Sequence, residues 1–255
     1  MGVYLTGDKH GEYADIKAFC KAQKTSKEKD VLIVLGDHGT RFYPDTDERT
    51  LNLLSQLDAL PIRLLMIHGN HDRRVTTKNR HTVKKYLDTG DLAGFFYIDV
   101  RFPSILYAEE WGAYRIANHP AFIIGGAYSI DKKQRLAQQK ADKFPYPVWF
   151  KDEQLSAQEQ AWALEDYQSF AAAYPKDAII LTHTCPLAVT PVVPYANSDI
   201  SMETFFDRIA AFDNWSHWYC GHWHIDRPDG KYRFLYDDVI LLEPNKEAAK
   251  IGTTP

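Results

Sequence analysis

Four short apolar runs frame this chain: V-Y-L-T at 3–6, V-L-I-V-L-G at 31–36, R-L-L-M-I-H-G at 63–69 and A-I-I-L-T at 178–182. Each is too short for a helix and apolar at consecutive positions, the pattern of a strand buried on both faces. Between them the spacing turns helical. Tyr13, Ile16, Phe19 and Cys20 follow the first run, and Leu51, Leu54, Leu57 and Leu60 the second. After the third, Thr76 or Thr77 is placed to cap a helix carrying Val83, Tyr86 and Leu87. Strand and helix in alternation predict an α/β sheet.

The middle of the chain has another rhythm. Residues 104–108, 113–117 and 121–125 read as short strands at meander spacing. Residues 131–155 are charged and then aromatic, and read as an insertion or lid on a single domain spanning 1–255. Ser156 and Glu159 form a capping box for a helix with Leu164, Tyr167, Phe170 and Tyr174 on one face. Ser201 opens a further helix with Met202, Phe205, Phe206 and Ile209, and strand patterns return at 216–220, 232–236 and 238–242.

Composition adds limits. At 255 residues, 45% hydrophobic and 25% charged, the chain can bury a large core. A net charge of −4 with no basic stripe argues against a general nucleic-acid grip. Three scattered cysteines make no disulfide framework and point to a reducing compartment, the cytoplasm. No apolar stretch approaches the ~20 residues a bilayer span needs, so no membrane partner is expected. Oligomeric state is left open.

The chemistry lies where the apolar runs end. In order come D-K-H with Asp8 and His10, G-D with Asp37, G-N-H-D with Asn70, His71 and Asp72, T-H-T with His183, and G-H-W-H with His222 and His224. Residues just beyond the carboxyl ends of strands meet at one rim of an open sheet. A rim of Asp, Asn and His can hold two divalent cations, an arrangement suited to phosphate-ester hydrolysis. Oxygen and imidazole donors without thiolate favour Mn, Fe, Zn or Co. Asp37, the sole acid of its motif, is the candidate bridge. His222 and His224 point the same way if their segment is extended, and Gly221 lets the backbone come close. Arg73 and Arg74, directly after G-N-H-D, are either phosphate contacts or a solvated helix entry. Lys132, Lys133 and Arg135 offer either a positive lid or a solvated helix face. The aromatics from Phe144 to Phe150 either stack a base or pack the insertion. His38 either touches the site or lies on a loop, and His119 is a candidate supporting group.

These five blocks, running from residue 8 to residue 224, resemble the signature of the calcineurin-like metallophosphoesterase superfamily, D-x-H, G-D, G-N-H-[DE], H and G-H-x-H. The resemblance implies a four-layer α-β-β-α sandwich. It implies one metal held by Asp8, His10, Asp37 and His224, and a second held by Asp37, Asn70, His183 and His222. A hydroxide between the metals would attack phosphorus, and His71 would protonate the leaving oxygen. The segments G-D-H-G-T-R-F and H-G-N-H-D depart from the protein-phosphatase pattern. Thr40 stands where an acid orienting the catalytic histidine would be, and His68 where a phosphate-gripping arginine would be. The expectation is a dinuclear-metal hydrolase, phosphatase or phosphodiesterase, with two divalent ions such as Mn, Fe or Zn. Its substrate is expected to be a small-molecule or nucleotide phosphate ester. The alternatives are a nuclease of the same superfamily or a non-catalytic, metal-stabilised scaffold.

Overall fold

A computed structural model describes residues 2–141, 143–191 and 198–245. The first three apolar runs are strands β1 (Val3–Thr6), β2 (Val31–Val34) and β3 (Arg63–Met66), paired parallel and in step. Helices α1 (Ala14–Gln23) and α2 (Glu48–Asp58) make the crossovers. The Asp47 carboxylate caps α2 by accepting from the Arg49 amide.

No helix follows β3. Residues Thr82–Asp88, expected to be helical, form strand β4, which pairs antiparallel with β5 (Leu92–Asp99). The turn between them explains the difference. The Asp88 carboxylate accepts from the Gly90 amide, Thr89 N–H donates to the Leu92 carbonyl, and Gly90 has φ 90°. D-T-G-D is turn chemistry that holds a hairpin. Val83 and Tyr86, 42% and 53% exposed, contribute to no core, so their helical spacing carried no packing information.

The meander follows as expected, as β6 (Ile105–Ala108), β7 (Trp111–Ile116) and β8 (His119–Ile124). Helix α3 (Lys132–Lys140) lies within the 131–155 segment. Helix α4 (Ala157–Ala173) starts at the complete Ser156/Glu159 capping box. Strand β9 (Ala178–Thr182), helix α5 (Ser201–Ala210) and strand β10 (Trp215–Cys220) come next. Short strands β11 (Arg227–Asp229), β12 (Tyr232–Phe234) and β13 (Ile240–Leu241) close the described chain.

All strands join one curled sheet, in the order β11-β12-β10-β9-β8-β7-β5-β6-β3-β2-β1-β13, with β4 beside β5. Alternate side chains reveal the layers. Val31 and Ile33 of β2 share a central core with Ile179 and Leu181 of β9. Leu32 and Val34 instead pack with Ile16, Leu54 and Leu57 of α1 and α2. Ala178 and Ile180 pack with Tyr167, Phe170, Phe205 and Phe206 of α4 and α5. The sheet thus folds back on itself with helices outside both halves, giving four layers, α-β-β-α. No helix among the described residues is long and apolar enough to cross a membrane.

Candidate metal centre

Asp8 follows β1, Asp37 follows β2, Asn70 follows β3, and His183 and His222 follow β9 and β10. Because these strands are parallel neighbours within each sheet half, their carboxyl ends meet along one rim. The loops there are tightly bent. His10, Asp37, His222 and His224 all have positive φ, 45°, 46°, 67° and 50°. Non-glycine residues hold such angles only where their surroundings compel them. Two glycines make room. A Cβ on Gly36 would lie 2.1 Å from His183 Nδ1, and one on Gly221 2.4 Å from Asp8 Oδ1.

Six expected residues fall into three overlapping groups, Asp8/His10/His224, His10/Asp37/His71 and Asp8/Asp37/His183, with ligand-type atoms within 4.8 Å of one another in each. Asp37 Oδ2 is 3.9 Å from His10 Nε2, and Oδ1 is 3.5 Å from His183 Nε2. One carboxylate therefore faces both sides of the cluster. Asn70 Oδ1 sits 2.9 Å from His183 Nε2. His222 is outside the three groups. Its ring centroid is 4.9 Å from that of His183, and its amide donates to Asp8 Oδ1.

Several atoms here lack a satisfactory partner. Asp8 Oδ2 is buried without a well-aligned hydrogen bond, 3.2 Å from His224 Nε2. His183 Nδ1 donates to the Leu35 carbonyl at 2.7 Å, which leaves Nε2 an acceptor. That acceptor faces Asn70 Oδ1, itself an acceptor, while Asn70 Nδ2 is turned to Ser129 Oγ at 3.0 Å. Lone pairs opposed at this distance fit donors arranged for a cation. The residues present therefore suit a divalent metal.

Electrostatics agree. Burial pushes the Asp8 carboxyl up, but His183, His224 and the His222 amide outweigh it and hold it down to about 2. Desolvation, reinforced by His183, lowers His222 to about 3 and leaves it neutral, the ligand form. His224 is raised by its contact with Asp8. Burial lowers His71, opposed by Asp37 and assisted by Arg135.

Asp72, beside His71, is a clamp. Its carboxylate accepts from the amides of His38, Gly39 and Gly69, tying the G-D loop to the G-N-H-D loop. His38 is 2% exposed, and its Nδ1 accepts from the Thr40 amide. Thr40 Oγ1 meets His38 and Tyr107, not His71. His68 Nε2 donates to the Asp72 carbonyl and Nδ1 lies 3.1 Å from Glu110. Burial opposes protonation of His68, but Glu110 and Asp72 raise it to about 9. His119 points elsewhere, to the Glu243 carbonyl.

The two arginines expected at the phosphate are engaged elsewhere. Arg73 donates to the Arg41 and Tyr43 carbonyls and to Asp45. Arg74 donates to Glu159 and to the Asp152 and Gln154 carbonyls. The capping box of α4, with Glu159 in it, draws Arg74 away. Arg135 of α3 comes close instead, with Nη2 3.4 Å from His71 Nε2 and Nε held by Asp131. A cavity of about 640 Å³ opens over the rim, lined among others by His10, His71, His224, Arg135, Phe42 and Tyr43. Its aromatic wall continues to Tyr146, with the Arg49 guanidinium 3.6 Å from the Tyr43 ring centroid. Ser129 and the Phe42/Tyr43 wall went unread in the sequence. Ser129 follows strand β8 as the expected ligands follow theirs, whereas the wall carries no local signal.

A family model described as calcineurin-like phosphoesterase matches residues 1–226. No curated protein matches the chain significantly. Among solved structures, a phosphopantetheinyl hydrolase from Mycobacterium tuberculosis aligns at 15% identity and TM-score 0.44, covering 96% of this chain and 97% of that one. A putative 5'-nucleotidase from Staphylococcus aureus, solved with alpha-ketoglutarate, aligns at 11% identity and TM-score 0.48, covering 96% of this chain. The chain spans about half of that protein, 51%. A protein of unknown function from Aquifex aeolicus aligns at 13% identity and TM-score 0.35, covering 92% of this chain and 89% of that one.

Proposed function

The chain belongs to the calcineurin-like phosphoesterase family, and from that premise we propose that it hydrolyses small or nucleotide-like phosphate esters at a centre of two divalent cations. The observation that carries this reading is Asp37, whose two oxygens face His10 on one side and His183 on the other. In this proposal Asp8, His10, Asp37 and His224 would hold one ion, and Asp37, Asn70, His183 and His222 would hold the other. Such ions supply Lewis acidity and a nucleophile at neutral pH, with Mn, Fe and Zn matching the donor set.

The protein's own groups then divide the remaining work. Asp37 fixes His71 by accepting its amide at 2.8 Å. The His71 imidazole lines the cavity, where it gives a proton to the leaving oxygen. Arg135 lines the same cavity and holds a phosphoryl oxygen, taking the part first expected of Arg73 and Arg74. Phe42 and Tyr43 support a flat leaving group by stacking. The chain is one domain, and segment 131–155 is an insertion whose Arg135 and Tyr146 border the site.

Residue 68 is a histidine pairing with Glu110, so no arginine grips a dianionic monoester there. The reading therefore extends to diesters, whose poor alkoxide leaving groups use the His71 proton. Matched aryl mono- and diesters, with nucleotides, assayed over Mn, Fe and Zn, test it. Hydrolysis of bis(p-nitrophenyl) phosphate is the expected result. A monoester preference above about 100-fold in kcat/KM, ~2.7 kcal/mol, removes the diesterase reading. No hydrolysis of any activated ester by metal-loaded protein leaves the scaffold alternative.

A further inference from the structure

A second cavity, about 620 Å³, shares no lining residue with the one over the metal centre. Its lining includes six cationic side chains, Arg41, Arg73, Arg74, Lys78, Arg80 and Arg101, and one acid, Asp45. Arg74 pairs with Glu159, Glu110 and Asp152, and Arg101 with Asp99. Asp45 is shared between Arg41 and Arg73 and also accepts from Asn79. Lys78 and Arg80 have no acidic partner among the described residues. Two positive charges are thus left without an acid, and two more share one.

Arg41 supplies buried positive charge beside the cavity. It is 3% exposed, its Nη1 is 3.0 Å from Asp45, and its guanidinium lies 4.6 Å from the Tyr107 ring centroid. Its Nε and Nη2 are buried with no hydrogen-bond partner. Unpaired buried donors on a charged group are costly. The neighbouring Arg and Lys head groups are donors too and offer no relief. What the cavity lacks is negative charge, which an anion with several acceptor oxygens supplies.

We propose that this cavity binds a phosphate oxyanion at a site separate from the metal centre. The anion accepts from Arg73, Lys78 and Arg80, whose side chains reach solvent, while the buried Arg41 guanidinium adds its charge from beneath. Lys78 and Arg80 at the rim draw it in and add charge. The site uses Arg73, which the sequence pointed toward phosphate, but away from the ester-cleaving rim. Free phosphate and a phosphoanhydride present the same oxyanion, and the test separates them.

Isothermal titration of metal-loaded protein with inorganic phosphate, then pyrophosphate, reads the site. Wild type is expected to bind one equivalent more than Lys78→Ala/Arg80→Ala, or to bind that equivalent at least about tenfold more tightly. Lys78 and Arg80 are exposed, so this variant keeps its fold. The comparison counts a difference at the cavity, so it stands whether or not phosphate also occupies the metal centre. Equal affinity for the two probes identifies free phosphate as ligand, and a tenfold gain for pyrophosphate identifies a phosphoanhydride. Unchanged stoichiometry and affinity in Lys78→Ala/Arg80→Ala overturns the proposal.

Discussion

Asp37 stands at φ 46° with its carbonyl accepting the amides of Lys9 and His10 and its carboxylate accepting the amide of His71. One residue thus joins three of the motif loops, and Asp37→Asn removes the charge while keeping most of that geometry. Both ions should weaken and turnover should vanish. Metal analysis finding two tightly held ions in the variant would take the bridging role from Asp37. His71 is a different case. Its Nε2 lies 3.7 Å from Asp37 Oδ2, near enough to ligate and also well placed for acid catalysis. His71→Asn should retain both metals and lose about 10²–10⁴ in kcat, the usual worth of general acid catalysis. The loss should shrink for esters with good leaving groups, which need no proton. Equal loss across leaving groups, or loss of a metal, would make His71 a ligand or a structural residue.

Helix α4 shows how an element's start is tied to the site's surroundings. Glu159 closes the capping box and also pairs with Arg74, whose side chain is 12% exposed. Ser156→Ala should cost about 1 kcal/mol, the usual loss of a cap. Glu159→Ala should cost roughly 1 kcal/mol more, since it also removes one of the carboxylates around a largely buried guanidinium that keeps Glu110. At ~2–4 °C per kcal/mol for a chain this size, differential scanning calorimetry resolves the two. Equal melting points would show that Arg74 draws nothing from Glu159. The capping box and the strand-end motifs were legible because each is a local signal. The β4–β5 hairpin was not, because its strand β4 faces solvent and its helical spacing was accidental. Arg135 near His71 and Arg41 against Tyr107 were invisible for another reason: both depend on segments far apart in sequence. The same holds for the loss of Arg74 to Glu159, 85 positions away.

For the molecule as a whole, the central core joins both halves of the curled sheet, and the rim residues come from both as well. Ions that bind only the assembled rim stabilise the fold by mass action. At free metal about 100-fold above Kd, one ion adds ~2.7 kcal/mol. Chelation should then lower Tm by about 5–10 °C per tightly bound ion. A melting point indifferent to chelator would show that the rim holds no metal of consequence. Strand order carries one last consequence, for synthesis. Chains emerge N-terminus first, yet β1 is flanked by β2 and by β13, and the rim runs from Asp8 to His224. A ribosome that has made the first hundred residues has delivered Asp8, His10, Asp37 and Asn70, but none of the histidines of the far half. The nascent protein is an incomplete chelator until residue 224 is out, so metal loading waits on the far half of the sheet.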